Sequence, residues 1–496
     1  MAQPASASDD CSFFGHPRGL STLFFTEMWE RFSYYGMRAL LLLYMTAPLA
    51  AGGLGFDEAQ GGAIYGLYTS MVYMTALPGG WIADRLIGQR KAVLYGGILI
   101  AAGHFSLAVP SLAMFYLGLF LIVIGTGLLK GNVSVVVGQL YGPEDKRRDA
   151  GFSIFYMGIN LGAFVAPIVC GYLGQRVSWH TGFAAAGVGM VLGVIQYVVG
   201  SRHLGEAGLA PAVTPSPAFV ARAQAGGLAA FVACAVLGLG AYTGTIAITA
   251  TQVADAAGVL LLVLTAAFFG WLLFGGDWTG EERRRLYVVT VLFLAAALFW
   301  SAFEQAGTTL NLFADRDTDT VLFGMPFPST WFQSLNSLFI FGLAPAFAWL
   351  WVRMAARGTE PSSPAKFAFG LVCVGLGFAV LIVASQLAEQ GVKVSPWWLV
   401  ATYLLHTIGE MTLSPVGLSA MTTLAPARIA GLMMGVWFLA SSVGNFIGGR
   451  LAGFYESMAL PTLFGSVAAF SIGAGLVLAA FVRPMARMMA RPADRS

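Results

Sequence analysis

The chain has 496 residues, of which 57% are hydrophobic and only 10% charged, with a mean hydropathy of +0.74. Soluble domains run near 25% charged residues, so this composition excludes an ordinary water-soluble domain, and long continuous apolar runs in place of alternating strands exclude a transmembrane barrel. The formal net charge of +3 is small, and its distribution matters more than its size.

The N-terminus is polar and carries Asp9 and Asp10, with no basic stretch ahead of a short apolar core. No cleavable signal peptide is expected, and residues 1–19 read as a cytoplasmic N-terminus. The first long apolar run, 20–49, is long enough to cross a bilayer as a helix. Inside it lie Glu27, Glu30, Arg31 and Arg38. At about 100° per residue, positions 27, 30, 31, 34, 35 and 38 share one side of the helix, within roughly 140°. Four unpaired charges at mid-membrane would cost about 10–14 kcal/mol on insertion scales. They must pair, face a wet cavity, or both. A static ion network that locks helices together is the alternative reading.

Thirteen further apolar segments follow, near 60–86, 91–110, 112–140, 150–175, 181–201, 218–243, 254–275, 285–313, 329–356, 366–388, 396–425, 429–456 and 462–488. With both ends inside, the cytoplasmic side would hold twenty of the 27 basic residues, and the outer loops only Arg176, Arg316 and Lys393. This asymmetry fixes an orientation and supports the even number of spans. Arg450 lies near an outer end, where it would snorkel. Cys11, Cys170, Cys234 and Cys373 are scattered without a CxxC and read as packing residues. No metal site and no cofactor are expected.

The chain also repeats itself. Residues 156–172 align with 438–454 at a constant offset, matching Gly162 with Gly444, Phe164 with Phe446 and Gly171 with Gly453. The fifth span therefore corresponds to the thirteenth. Removing spans seven and eight leaves two six-helix halves, an architecture in which transporters place a site between parallel repeats. The expected fold is all-α and integral to the membrane, with fourteen transmembrane helices. Its expected parts are an N-terminal six-helix bundle over 20–203, an inserted lipid-facing hairpin with its linkers over 204–280, a C-terminal bundle over 281–489 and a cytoplasmic tail over 490–496.

Glu27, Glu30, Glu304 and Glu410 are the acids within spans, and Arg31, Arg38 and Lys130 are the bases near them. Aligning Gly125 with Gly409 puts Lys130 opposite Ser414, one turn from Glu410, so a Lys130–Glu410 contact is geometrically reasonable. A permanent buried pair is its alternative. A related argument pairs Arg38 with Glu304. Polar side chains gather on the same spans: Tyr34, Tyr35, Tyr73, Tyr156, Asn160, Asn336 and Ser414. Singly, each suits a helix–helix hydrogen bond. Together with charges of both signs they describe a cavity for a zwitterion, with Arg and Lys for a carboxylate and Glu with Asn for an ammonium. Trp300 and Trp437 become pocket candidates through their neighbours, and His406, one turn before Glu410, reads as packing or as a modest influence on that acid's pKa, not as a metal ligand.

At these residues a resemblance emerges. Glu27-x-x-Glu30-Arg31-Phe-x-Tyr34-Tyr35-Gly36 resembles the first-helix motif of the proton-dependent oligopeptide transporters (POT/PTR family) of the major facilitator superfamily, prokaryotic type. Phe155-Tyr156-Met-Gly-Ile-Asn160-Leu-Gly162-Ala-Phe resembles that family's fifth-helix signature, and Gly80-x-x-x-Asp84-Arg85-x-x-Gly88-x-Arg90 the loop motif of the wider superfamily. Phe303-Glu304-Gln305, Gln333-Ser-Leu-Asn336 and Gly409-Glu410-x-x-Leu-Ser414-Pro415 also match. Gly131 departs from the pattern, where many relatives carry proline after the lysine.

The resemblance implies a major facilitator fold and import of di- and tripeptides in symport with protons. Arg31, Lys130 and Tyr35 would hold the peptide carboxylate, and Asn160, Asn336 and Glu410 its amino terminus. Glu27, Glu30 and Glu304, with Arg31 as partner, would carry protons. Arg38–Glu304 and Lys130–Glu410 would be gating pairs. Tyr73, Tyr156, Trp300, Trp437 and Ser414 would line the pocket. It further implies a monomer in the cytoplasmic (inner) membrane with both termini inside, driven by the proton gradient, with peptides, protons and the bilayer as partners and no nucleic acid. A relative carrying nitrate or another small organic anion is the alternative within transporters. A passive channel is the next. A membrane-embedded enzyme finds no support, since no HExxH, GxSxG or Walker A loop is present.

Overall fold

The computed structural model describes residues 11–142, 144–211, 215–322 and 324–489. Asp9, Asp10, Arg491 and Arg495 lie outside the described residues. The sixteen α-helices are α1 (Arg18–Thr46), α2 (Glu58–Met74), α3 (Ala76–Ile82), α4 (Gln89–Leu107), α5 (Leu112–Gln139), α6 (Arg148–Arg176), α7 (Trp179–Gly200), α8 (Pro217–Tyr242), α9 (Ala250–Gly270), α10 (Gly280–Phe303), α11 (Thr309–Arg316), α12 (Ser334–Ala356), α13 (Ser363–Ala388), α14 (Trp397–Leu424), α15 (Ala430–Leu451) and α16 (Leu460–Met489). Two pairs, α2–α3 and α10–α11, are single segments broken in the middle, so the sixteen helices make the fourteen expected spans. Besides them the described residues hold a two-stranded hairpin, β1 (Val321–Leu322) and β2 (Met325–Pro326). The fold is all-helical and membrane-spanning. Ten helical segments have the length and composition to cross a membrane; the charged stripe keeps α1 from being recognised on composition alone.

The breaks have local causes. Pro78 has no N–H to return to the carbonyl of Met74, and the helix parts at Thr75, whose hydroxyl donates to the carbonyls of Met71 (2.8 Å) and Val123 (3.0 Å). The segment expected as one helix over 285–313 is interrupted by a 3₁₀ turn over Glu304–Gly307, after which Thr308 leaves helical geometry at φ −124° and ψ −102°. Irregular backbone at membrane depth is tolerated where it is buried in protein or lines a cavity, and this one sits at an acid.

The described residues fall into two compact units, one over 1–40 and 71–253 and the other over 41–70 and 254–496. In the first unit α1 is gripped from two sides. A Cβ on Gly162 of α6 would lie 2.2 Å from the Met28 carbonyl oxygen, and one on Gly36 would meet the Cys170 sulfur at 2.5 Å. On the other side Gly189 and Gly193 of α7 accept the rings of Phe32 and Trp29. Small residues let backbones approach closely, which is how membrane helices associate without a hydrophobic driving force.

In the second unit α13 and α16 pack along Gly375 and Gly475, and the first turns of α2 lie against α15. There a Cβ on Gly62 would come 2.4 Å from the Gly449 carbonyl oxygen, and the hydroxyls of Ser70 and Ser442 stand 2.7 Å apart. The two helices expected to form a lipid-facing hairpin differ. α8 is exposed almost throughout, whereas α9 buries Ala254, Gly258, Leu261, Thr265 and Phe269. Gly258 sits under the Phe446 ring of α15, and Asp255 pairs with Arg450 at 2.5 Å. Arg450, near a helix end, thus also has an ion-pair partner.

Gly162→Val should overpack the α1–α6 contact at a cost of roughly 1–3 kcal/mol and lower the melting temperature of the purified protein. Gly131→Ala, where a Cβ meets nothing within 4 Å, should leave it unchanged. Equal melting temperatures in the two variants would contradict the packing described for α6.

Candidate functional site

The charged stripe of α1 is buried in the first unit. Glu27, Glu30, Arg31 and Arg38 are at most 5% exposed. Arg31 Nε stands 3.2 Å from Glu27 Oε1 and also donates to Glu30 Oε2. One guanidinium thus holds two carboxylates, one from the preceding turn and one from the adjacent residue. The arrangement is not saturated: Glu27 Oε2, Glu30 Oε1 and one terminal nitrogen of Arg31 are buried with no hydrogen-bond partner among the described residues. Unsatisfied polar atoms at this depth are costly, and a proton or a polar ligand would satisfy them.

The rest of the stripe is aromatic and cationic. Arg31 lies 5.4 Å from the centre of the Tyr34 ring, and Arg38 lies 5.6 Å from that of Tyr35. The Lys130 ammonium of α5 sits over the Tyr73 ring of α2, at 3.6 Å from its centroid, so the lysine is held by a cation–π contact. Asn160 is buried on α6, and its amide donates to the Tyr156 carbonyl at 3.1 Å. Tyr156 itself is exposed. The loop motif is structural. Gln89 donates to Asp84 at 2.7 Å, Arg90 Nε donates to the Ala207 carbonyl at 2.7 Å, and Gly88 takes the left-handed φ of +81° that suits glycine.

The second unit carries the remaining candidates. Glu304 caps the C-terminal end of α10 at the helix break and is buried. Asn336, on the first turn of α12, donates through Nδ2 to Glu410 Oε2 at 2.8 Å and to Thr407 Oγ1 at 3.1 Å. The Trp300 and Trp437 rings meet edge to face with centroids 6.4 Å apart, and Trp300 Nε1 has no partner among the described residues. The Ser414 hydroxyl is likewise buried without one. His406 packs between Phe303 and Phe378, as the packing reading expects.

Within each unit some of the candidate residues meet. Glu27, Glu30 and Arg31 form one cluster, Lys130 and Tyr73 a second, Asn336 and Glu410 a third, and Trp300 and Trp437 a fourth. Thr407 was not anticipated. Its signal was its place three residues before Glu410, on the same helix face. The 3₁₀ turn at Glu304 was also missed, although Gly307 within an otherwise apolar helix was a cue.

Comparison with known proteins identifies the family. The family model "PTR2: POT family" matches residues 90–465. The peptide transporter YePEPT of Yersinia enterocolitica subsp. palearctica serotype O:3 (strain YE-P4) is 42% identical over 492 residues, covering 96% of each chain. A di-/tripeptide transporter of Lactococcus lactis subsp. lactis (strain IL1403) is 37% identical over 487 residues, covering 96% of this chain and 97% of the relative. A crystal structure of a peptide transporter POT in complex with sulfate superimposes with a TM-score of 0.92 at 44% identity, covering 98% of both chains. A buried Glu-x-x-Glu-Arg cluster, a fourteen-span helical fold and a family match over most of its length make this chain a member of the POT family of membrane-spanning transporters.

Proposed function

We propose that the protein imports di- and tripeptides in symport with protons, by alternating access between an N-terminal bundle over 20–203 and a C-terminal bundle over 281–489. The observation that carries this reading is the Glu27–Arg31–Glu30 cluster. Two carboxylates share one guanidinium, and protonating either of them frees a donor of that guanidinium for another partner. The same guanidinium can then take a peptide carboxylate, for which its planar fork is suited, together with Lys130 and Tyr35. Proton and substrate would thereby act on the same charge. The relatives' names, peptide and di-/tripeptide transporter, support the substrate class.

The amino terminus of the peptide would be received by Glu410, to which Asn336 already donates, together with Asn160. Tyr73, Tyr156, Trp300, Trp437 and Ser414 would line the pocket. A carrier of simple anions has no use for an oriented, buried carboxylate such as Glu410, which favours the peptide reading over the nitrate one. We assign proton relay to Glu304, and gating to the pairs Arg38–Glu304 and Lys130–Glu410: protonating Glu304 releases Arg38 and biases the equilibrium between inward- and outward-facing states. In this reading the protein acts as a monomer in the cytoplasmic membrane with both termini inside, an orientation that the loop charges support.

Uptake of a labelled dipeptide into proteoliposomes should be stimulated by an inward proton gradient, and unstimulated uptake would overturn the symport. Glu304→Gln should abolish gradient-driven accumulation while peptide exchange, which needs no net proton movement, survives. Asn336→Ala removes one charge-assisted hydrogen bond that orients Glu410, worth roughly 1.5 kcal/mol or more. It should weaken dipeptide binding about tenfold and leave a peptide with a blocked amino terminus bound as before. Equal losses for free and blocked peptides would remove Glu410 from the amino-terminal site.

A further inference from the structure

The contact between Asn336 and Glu410 has a third member that the transport reading does not use. Thr407 lies on α14, three residues before Glu410, and is 0% exposed. Its hydroxyl donates to the Tyr403 carbonyl at 2.7 Å, the back-bond that a helical threonine makes to the residue four earlier. A hydroxyl has one proton and two lone pairs. With the proton given to Tyr403, Thr407 can only accept from α12. Asn336 Nδ2 meets that oxygen at 3.1 Å and Glu410 Oε2 at 2.8 Å.

The sense of a side-chain amide follows from its partners, because its oxygen and its nitrogen fill nearly the same space. Turned about, Asn336 would press its carbonyl oxygen against the Thr407 lone pair and the Glu410 carboxyl. The carboxyl alone does not forbid this. Once it carries a proton, it can donate to the amide oxygen as well as accept from the nitrogen. Thr407 does forbid it in either state of Glu410, since its one proton is committed within its own helix. We propose that Thr407 is a positioning residue of the amino-terminal site: it locks the amide of Asn336 so that the nitrogen faces Glu410 and the oxygen is left for the substrate ammonium. Among the described residues Asn336 makes its two side-chain bonds through Nδ2, so its oxygen has no protein partner there to give up.

The consequence lies in substrate chemistry. A carboxylate and an amide oxygen present acceptors only, which suits an ammonium with three N–H donors. An unlocked amide would turn N–H toward N–H for part of the time, and a free amine would lose that part of its binding. A peptide with an acylated amino terminus has no ammonium to be recognised, so the lock is indifferent to it. Thr407 does not itself touch the substrate in this account and acts through Asn336. The inference deepens the peptide reading given above and rests on it.

The experiment uses the full-length protein in nanodiscs at one fixed pH, and measures binding of one dipeptide in its free and its N-acetylated form. Thr407→Val keeps the branched shape without the hydroxyl. It should weaken the free dipeptide about threefold to tenfold, the size of one lost hydrogen bond, and leave the acetylated form as it was. Thr407→Ser keeps the hydroxyl and should bind as the parent protein does. Combined with Asn336→Ala, Thr407→Val should add no further loss, because it acts through that amide. Parent-like binding of the free dipeptide by Thr407→Val, equal losses for the two forms, a serine variant as weak as the valine one, or additive losses in the double variant would each overturn the lock. Asn336→Ala measured alone separates the two readings. If it loses both forms equally, the amino-terminal site falls and the lock with it; if it discriminates and Thr407→Val does not, the lock alone falls.

Discussion

A guanidinium that cannot reach water holds the first unit in its form. Arg31 sits in a membrane helix with Glu27 and Glu30 on it, and removing one side of such a buried pair leaves the other uncompensated. To keep water away from this cluster the neighbouring helices must approach α1 closely, and glycines make that possible. Gly158 and Gly162 of α6 receive the backbone and side chains of Phe24, Met28 and Arg31, while Gly189 and Gly193 of α7 receive Phe32 and Trp29. The polar face and the packed face of α1 are thus two consequences of one burial. The unsatisfied oxygens that remain on Glu27 and Glu30 mark where this packing stops short of a closed network.

The second unit handles its acids differently. Glu304 is placed by a break in the helix, where the backbone leaves its regular hydrogen bonding, and Glu410 by a side-chain amide reaching from α12. A helix break fixes the direction of a side chain through the backbone, while an amide fixes it through a bond that a ligand can replace. That difference suits the roles proposed for the two residues, one handling protons and the other a substrate ammonium. Around them Trp300, Trp437, Phe303 and Phe299 form a continuous aromatic wall, which keeps the dielectric low and the charges strong.

Much of this was legible in the chain. The stripe at positions 27, 30, 31, 34, 35 and 38 follows from helical periodicity, because residues one turn apart must share a face. The spans follow from hydrophobic length, and all of them are present. Sequence alone misplaced charges whose partners are distant in the chain. Arg316 was counted as a loop charge but ends a helix between two glutamates, one of them 258 residues away. Arg450, expected to reach the interface, has Asp255 as a partner that the sequence did not announce. Ion pairs of this kind carry no local periodicity, so nothing in a window of sequence announces them.

By itself, then, the sequence determined the number of spans, the face of α1 that carries charge and the family to which the chain belongs. These depend on interactions between neighbours in the chain or on motifs a few residues long. The tertiary structure decided which oxygen meets which nitrogen. It set Glu27 and Glu30 on the same guanidinium with atoms to spare, broke the helix at Glu304, turned Asn336 toward Glu410 and brought Glu58 and Glu456 to one arginine. Such choices depend on how closely helices can approach and on which polar groups burial leaves no other partner, and both are properties of packed helices, not of any single stretch of chain.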